Sequence, residues 1–136
     1  MSIYDQTIET LEFPKIRERL AAHTSFSASR SLALALLPTT DEAEVVRRLQ
    51  LTSEARVFLN QHADATIGSA RDIREHVQHA ARGGRLDPLE LTHVAHTLAS
   101  MRRLRGLLQV LDEREFPLLC RFADDLPEYP AIESEI

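Results

Sequence analysis

The run Gly83-Gly84-Arg85-Leu86-Asp87-Pro88-Leu89-Glu90-Leu91, with no further proline until Pro117, decides the fold. Asp87 is placed to cap free N–H groups, and Pro88 suits the first helical position because its missing donor would be unpaired there anyway. Glu90, three residues on, completes a capping box. Apolar side chains then recur at Leu91, Val94, Ala95, Leu98, Met101, Leu104, Leu108 and Leu111, which is helical rather than strand spacing. The pattern predicts one helix of about 25 residues, roughly 37 Å at 1.5 Å per residue, long enough to act as a spine for shorter ones.

Working back from this spine, Arg71 to Arg82 reads as a helix with Ile73, Val77 and Ala80 inward. Gly83-Gly84 closes it, because glycine takes the left-handed conformation that a helix C-terminus favours. So short a turn predicts that this helix and the spine run antiparallel. Residues 63–70 read as a loop. Before it, Thr39-Thr40-Asp41 opens a long helix, with Asp41 as cap, Glu44 as its reciprocal partner, and Val45, Leu49, Thr52, Ala55 and Phe58 as the inner face. From Ala28 to Leu37 the chain is apolar nearly all round, which predicts the most buried helix of the set, ended by Pro38. Thr24 to Ser27 reads as a capping turn. Further back, a short helix over residues 4–11 carries Ile8 and Leu11 on one side. Phe13-Pro14 resets the backbone, and a second helix runs to Ala22 with Ile16 and Leu20 on its packed face.

Working forward, the chain breaks at Asp112 to Glu115, makes a short helix through Cys120 and Phe122, breaks again at Pro127 and Pro130, and starts another helix with Ile132. A chain that stops at Glu135-Ile136 while beginning a helix reads as a piece of something longer. No run alternates or is rich in β-branched residues, and no repeat of fixed period occurs. The expected architecture is all-α, a helical bundle forming a single domain over residues 1–136.

The bulk numbers agree with a folded domain: 136 residues, 43% apolar and 27% charged. No run approaches the ~18–20 apolar residues that span a bilayer, and the N-terminus lacks the layout of a secretion signal, so a cytoplasmic protein without a membrane partner is expected. The lone Cys120 fits a reducing compartment and reads as a small core hydrophobe. The net charge of -5 is uneven, because residues 112–136 hold eight acids and two arginines, a balance of -6, leaving about +1 for the rest. A nearly neutral body with an acidic tail is not the footprint of a freestanding nucleic-acid binder.

Candidate chemistry is sparse. His76 and His79 sit three apart on one helix, His93 and His96 three apart on its neighbour, and four imidazoles meeting across the hairpin would form a zinc-type set. Against this, Val77 and Val94 claim the packed faces and no carboxylate stands at matching spacing to orient the rings. Surface histidines are the reading adopted, with no metal site. Asp41, Asp87 and Glu90 are used as caps, no acid and base pair stands out, and the phosphate-loop pattern Gly-x-x-x-x-Gly-Lys-Ser/Thr is absent. The chain is therefore expected to hold no catalytic or cofactor-binding residue. Arg102, Arg103 and Arg105 form the densest basic cluster. Its ordinary reading is a solvated face with Arg103 or Arg105 paired to acids in the tail, and its functional reading is contact with nucleic-acid phosphates.

Taken in series, five stretches carry a resemblance: Leu11-Glu12-Phe13 with Lys15-Ile16; Leu36-Leu37-Pro38 with Thr40-Asp41; Thr52-Ser53-Glu54-Ala55-Arg56; Arg71-Asp72-Ile73-Arg74; and Gly83-Gly84 with Leu86, Pro88, Glu90 and Leu91. In order and spacing they resemble the beginning of the bacterial MutS-like proteins of the second branch, the MutS-two family. One departure is the Gly68-Ser69-Ala70 step, where the family tends to be richer in glycine. The resemblance implies an N-terminal part of a MutS-type core or lever domain. It implies a longer homodimeric parent with an ATPase that uses ATP and Mg and, in many members, a C-terminal Smr nuclease domain. It further implies endonuclease action on branched or recombination-intermediate DNA, suppression of homologous recombination, and a role in splitting collided ribosomes through rRNA contact. None of the five phenylalanines is followed two places on by glutamate, so the mismatch-probing motif of the mismatch-repair branch is missing. The alternative reading is a structural or protein-docking helical module with no nucleic-acid role.

Overall fold

The structure, a computed structural model, describes residues 3–63 and 65–136. Among the described residues there are helices and no strands, so the all-α expectation holds. They fall into two compact units, Met1–Pro38 and Thr39–Ile136.

The first unit holds α1 (Ile3–Thr10), α2 (Phe13–Ala22) and α3 (Ser27–Ala35), with α2 packed on both α1 and α3. Between α1 and α2, Glu12 adopts φ 54°, the left-handed region that disfavours a residue with a Cβ. Lys15 Nζ reaches back to its carboxylate at 2.5 Å. The α2–α3 hairpin closes on small side chains, Ala21 and Ala33, both buried. The expectation that the third helix is the most buried is overturned: Ala33 is its one buried side chain, while Leu32 is 73% exposed and Leu34, Leu36 and Leu37 are also exposed. A helix apolar all round needs neighbours on every side, and this unit offers a neighbour on one side. The Thr24–Ser27 turn differs as well. The cap position is Phe26 and has no side-chain cap bond, and Thr24 donates backwards to the Ala21 carbonyl at 2.7 Å, finishing α2 rather than starting α3.

The second unit holds α4 (Glu42–Gln61), α5 (Arg74–Ala81), α6 (Pro88–Gln109), α7 (Pro117–Asp124) and α8 (Pro130–Glu135). The spine forms as the sequence dictates. Asp87 Oδ1 accepts from the Leu89 and Glu90 N–H groups at 2.8 Å each, and Glu90 Oε2 accepts from Asp87 N–H at 2.8 Å, so both halves of the capping box are made. The helix then runs unbroken for 22 residues, about 33 Å at 1.5 Å per residue. Val94, Leu98 and Leu108 are buried along it, together with Thr97 and Ser100.

The core of this unit is Phe58, Leu108, Phe116, Leu119 and Ala123, flanked by Leu51, Val57, Leu104, Leu107, Leu111, Cys120 and Leu126. Short α7 packs against both α4 and α6 and, with its cap residue Phe116, supplies three of the five central side chains. This changes the inner face expected for α4. Leu51, Glu54 and Phe58 turn inward, whereas Val45 and Leu49 are exposed. The cap of α4 is also half of what was expected: Asp41 accepts from Ala43 and Glu44 N–H groups, but the Glu44 carboxylate binds Arg47 and Arg48 instead of returning to Asp41, whose N–H donates to Thr39 Oγ1 at 3.2 Å. Two guanidiniums within one turn outcompete a single neutral N–H.

The helix before the spine is shorter than expected. It starts at Arg74, after Asp72 has turned its carboxylate onto the Arg74 guanidinium. Val77 and Ala80 are exposed, so α5 has no packed face of the kind expected. It does run antiparallel to α6, since Arg71 N–H bonds Thr97 Oγ1 at 2.9 Å while His76 lies beside Glu90 and His93. Gly83, at φ +83°, closes the turn. No helix among the described residues is long and apolar enough to cross a membrane.

Candidate nucleic-acid interface

The three arginines of α6 leave the helix on different sides and find different partners. Arg102 Nε pairs with Glu133 of α8 at 3.1 Å, and Arg105 Nη1 donates to the Leu126 carbonyl at 2.8 Å while its Nε lies 3.7 Å from Glu128. These two fasten the acidic C-terminal stretch to the spine. Arg103 points away from that stretch and donates through Nη2 to the Thr66 carbonyl at 3.0 Å, and among the described residues it has no carboxylate partner. The division follows from helical geometry, because positions 102 and 105 lie one turn apart on one face and 103 falls about 100° away.

Arg103 borders a cleft of about 190 Å³ between the 66–70 loop and α6, lined by Gly68, Ser69, His96, Ala99, Ser100 and Arg103. Gly68 takes φ +58° there, and its N–H donates to Thr66 Oγ1 at 3.0 Å. A Cβ at this position would fall 2.7 Å from Arg103 Nη2 and 3.4 Å from Ser100 Oγ. Glycine is thus favoured by the backbone angle, and any Cβ there would also push the guanidinium out of its place at the cleft. The sequence singled out the arginines but not these neighbours, and the signal for them was the Gly68-Ser69 step.

The histidines do not converge. His76 and His93 stack with ring centroids 5.7 Å apart at 24°, His79 lies over Gly84, and His96 turns to the Arg103 cleft. Glu90 Oε1 stands 3.4 Å from His76 Nδ1, so a carboxylate does reach one ring, which the sequence spacing had not suggested. Among the described residues no group of three or more His, Cys, Asp or Glu side chains is arranged to hold a metal ion. Cys120 lies 3.8 Å from the Leu111 carbonyl, and burial, with Glu113 adding to it, pushes its thiol above the ordinary value. Such a thiol is a poor nucleophile.

One buried acid went unnoticed in the sequence except as part of a resemblance. Glu54 on α4 is 6% exposed, and its Oε2 accepts from the Leu118 and Leu119 N–H groups at 2.9 and 3.0 Å while Oε1 accepts from Gln50 at 2.9 Å. These are the orphan donors at the start of α7, whose own cap residue, Phe116, offers no side-chain oxygen. Glu54 is therefore a helix cap supplied by another helix.

Capped helices bridged by one short element, with polar side chains spent on caps and struts, define a helical scaffold. Comparison with known proteins gives that scaffold a family. The chain is 41% identical over 132 residues to Endonuclease MutS2 of Symbiobacterium thermophilum, covering 97% of this chain and 16% of that protein. It is 37% identical over 131 residues to Endonuclease MutS2 of Geobacillus thermodenitrificans, covering 95% and 17%, and 36% identical over 134 residues to that of Thermomicrobium roseum, covering 96% and 17%. No protein-family model and no solved structure matches. Over this stretch the chain belongs to the MutS2 family, and it spans about one sixth of the length of the relatives it matches.

Proposed function

We propose that this chain is the opening part of the helical core, or lever, of a larger homodimeric MutS2-type protein that uses ATP and Mg. That parent cleaves branched or recombination-intermediate DNA, suppresses homologous recombination, splits collided ribosomes, and works in the cytoplasm. The observation that carries the reading is similarity, over nearly the whole of this chain, to proteins named Endonuclease MutS2. The lever role is supported by α6, a stiff rod of 22 residues joined through α7 to the 20-residue α4. Helices tied at both a core and a cap move as one body, which suits them to carry a nucleotide state over a distance. Of the three arginines, Arg103 is the phosphate-facing candidate in this reading, because Arg102 and Arg105 are engaged by Glu133 and Glu128.

The test is Ala95→Pro in the full-length parent. Proline there removes one helical hydrogen bond and kinks the rod. Basal ATP hydrolysis is expected to persist while its response to DNA falls. A response equal to that of the unmodified parent rejects the lever.

A second reading, a protein-docking module, is favoured by the leucines that the first unit leaves in water, Leu32 at 73% and Leu37 at 54% exposed. Its mark would be low-micromolar binding of a protein partner by this chain, with no change in coupling when the Ala95→Pro parent is assayed.

A further inference from the structure

We propose that the cleft between the 66–70 loop and α6 binds one phosphodiester group of a nucleic-acid backbone, with Arg103 as the cation and Ser69, His96 and Ser100 as neighbouring polar groups; this rests on the nucleic-acid reading above. Three observations converge. Among the described residues the cleft is lined without a carboxylate, whereas three other clefts of the second unit carry Glu113 and Asp124, Glu54 and Glu115, or Asp72 and Glu75. In a chain of net charge -5, an anion there meets less repulsion than in those three.

The guanidinium is also held ready. Of its five N–H donors one is spent on Thr66, which fixes the fork at the mouth of the cleft and leaves the others for a planar, two-point grip on phosphate oxygens. Arg102 and Arg105, by contrast, are paired with Glu133 and Glu128. Finally, Gly68 lets the loop backbone come close enough that a methyl group there would fall 2.7 Å from Nη2 and displace the guanidinium. The space of about 190 Å³ holds roughly six waters at ~30 Å³ each, enough for a tetrahedral phosphate group and part of its hydration. A free inorganic phosphate offers the same oxygens, so the test separates the two sources.

The 136-residue chain is titrated in amide-resolved NMR with inorganic phosphate, and in parallel with a fluorescent single strand of about 20 nucleotides read by polarisation at several salt concentrations. Phosphate is expected to shift the Gly68, Ser69, His96 and Arg103 amides, and the strand is expected to bind with a salt-dependent rise in polarisation. Arg103→Gln should weaken the strand about fivefold and lower the salt slope by roughly one, while Arg102→Gln and Arg105→Gln change either value little. His96→Gln, at an exposed position, is the second variant should loss of the Thr66 bond disturb the loop, and it too should weaken the strand. If the strand binds with the same affinity and slope in both the Arg103→Gln and His96→Gln chains, the cleft is overturned while the nucleic-acid reading survives. Phosphate shifts without strand binding overturn the nucleic-acid occupant, and the absence of both overturns the site.

Discussion

The side chain of Glu54 on α4 accepts the backbone N–H of Leu119 on α7 at 3.0 Å, with the Leu118 N–H 2.9 Å from the same oxygen. A cap borrowed from another helix does two things at once: it satisfies the donors at the start of α7 and fixes α7 against α4, where Phe116 and Leu119 complete the core. Glu54→Ala leaves one buried and one half-buried N–H group unpaired and should cost about 2–4 kcal/mol in urea unfolding. Glu54→Gln keeps an acceptor oxygen and should cost about 1 kcal/mol. Equal losses for the two would mean that the capping bonds are not what matters.

The two Asp caps of the second unit offer an internal comparison. Asp87→Ala and Asp41→Ala each remove an oxygen that takes two N–H groups, and each should cost about 1 kcal/mol. Their partners differ. Glu90→Ala should lower thermal stability further because Glu90 returns to the Asp87 N–H, while Glu44→Ala should leave the Asp41 cap intact, since Glu44 is engaged by Arg47 and Arg48.

Left-handed backbone occurs at one non-glycine position among the described residues, Glu12, and at two glycines, Gly68 beside the cleft and Gly83 in the turn before the spine. Glu12→Gly should raise the unfolding midpoint by relieving a strain of about 1 kcal/mol, partly offset by the lost ion pair with Lys15. Gly83→Ala has open space for its methyl group, so its expected loss, about 1 kcal/mol, comes from the backbone angle alone.

Two groups give pH and reactivity signatures. Hydrogen bonds from Arg47 and Arg48 lower Glu44 from 4.5 to about 2, so its share of α4 stability is present above pH 4.5 and lost as the pH falls toward 2. Carboxyl NMR should place its midpoint near 2, and Arg47→Ala should move it up. Cys120, raised by burial and by Glu113, should react with iodoacetamide at pH 8 more slowly than a free thiol and match it in denaturant.

The elements with a local code were legible in the sequence. Asp87, Pro88 and Glu90 announce their helix within four residues, and Gly83 announces the turn before it. What was not legible depends on partners distant in the chain. Helical periodicity assigns Val45 and Leu49 inward, but α7 meets α4 along Leu51, Glu54 and Phe58 instead. Alanine and leucine in α3 specify a helix and say nothing of how many neighbours will cover it. The arginine cluster was visible, yet its split into two struts and one cleft-facing cation needed α8 and the 66–70 loop in place.

Glu54 and Leu118 lie 64 residues apart along the chain. During synthesis at about 5–20 residues per second, Glu54 emerges roughly 3–13 s before the backbone it must cap. Through that interval Phe58 also lacks Phe116, Leu119 and Ala123, so the half-made core is a natural client for chaperones that shield nascent apolar surface.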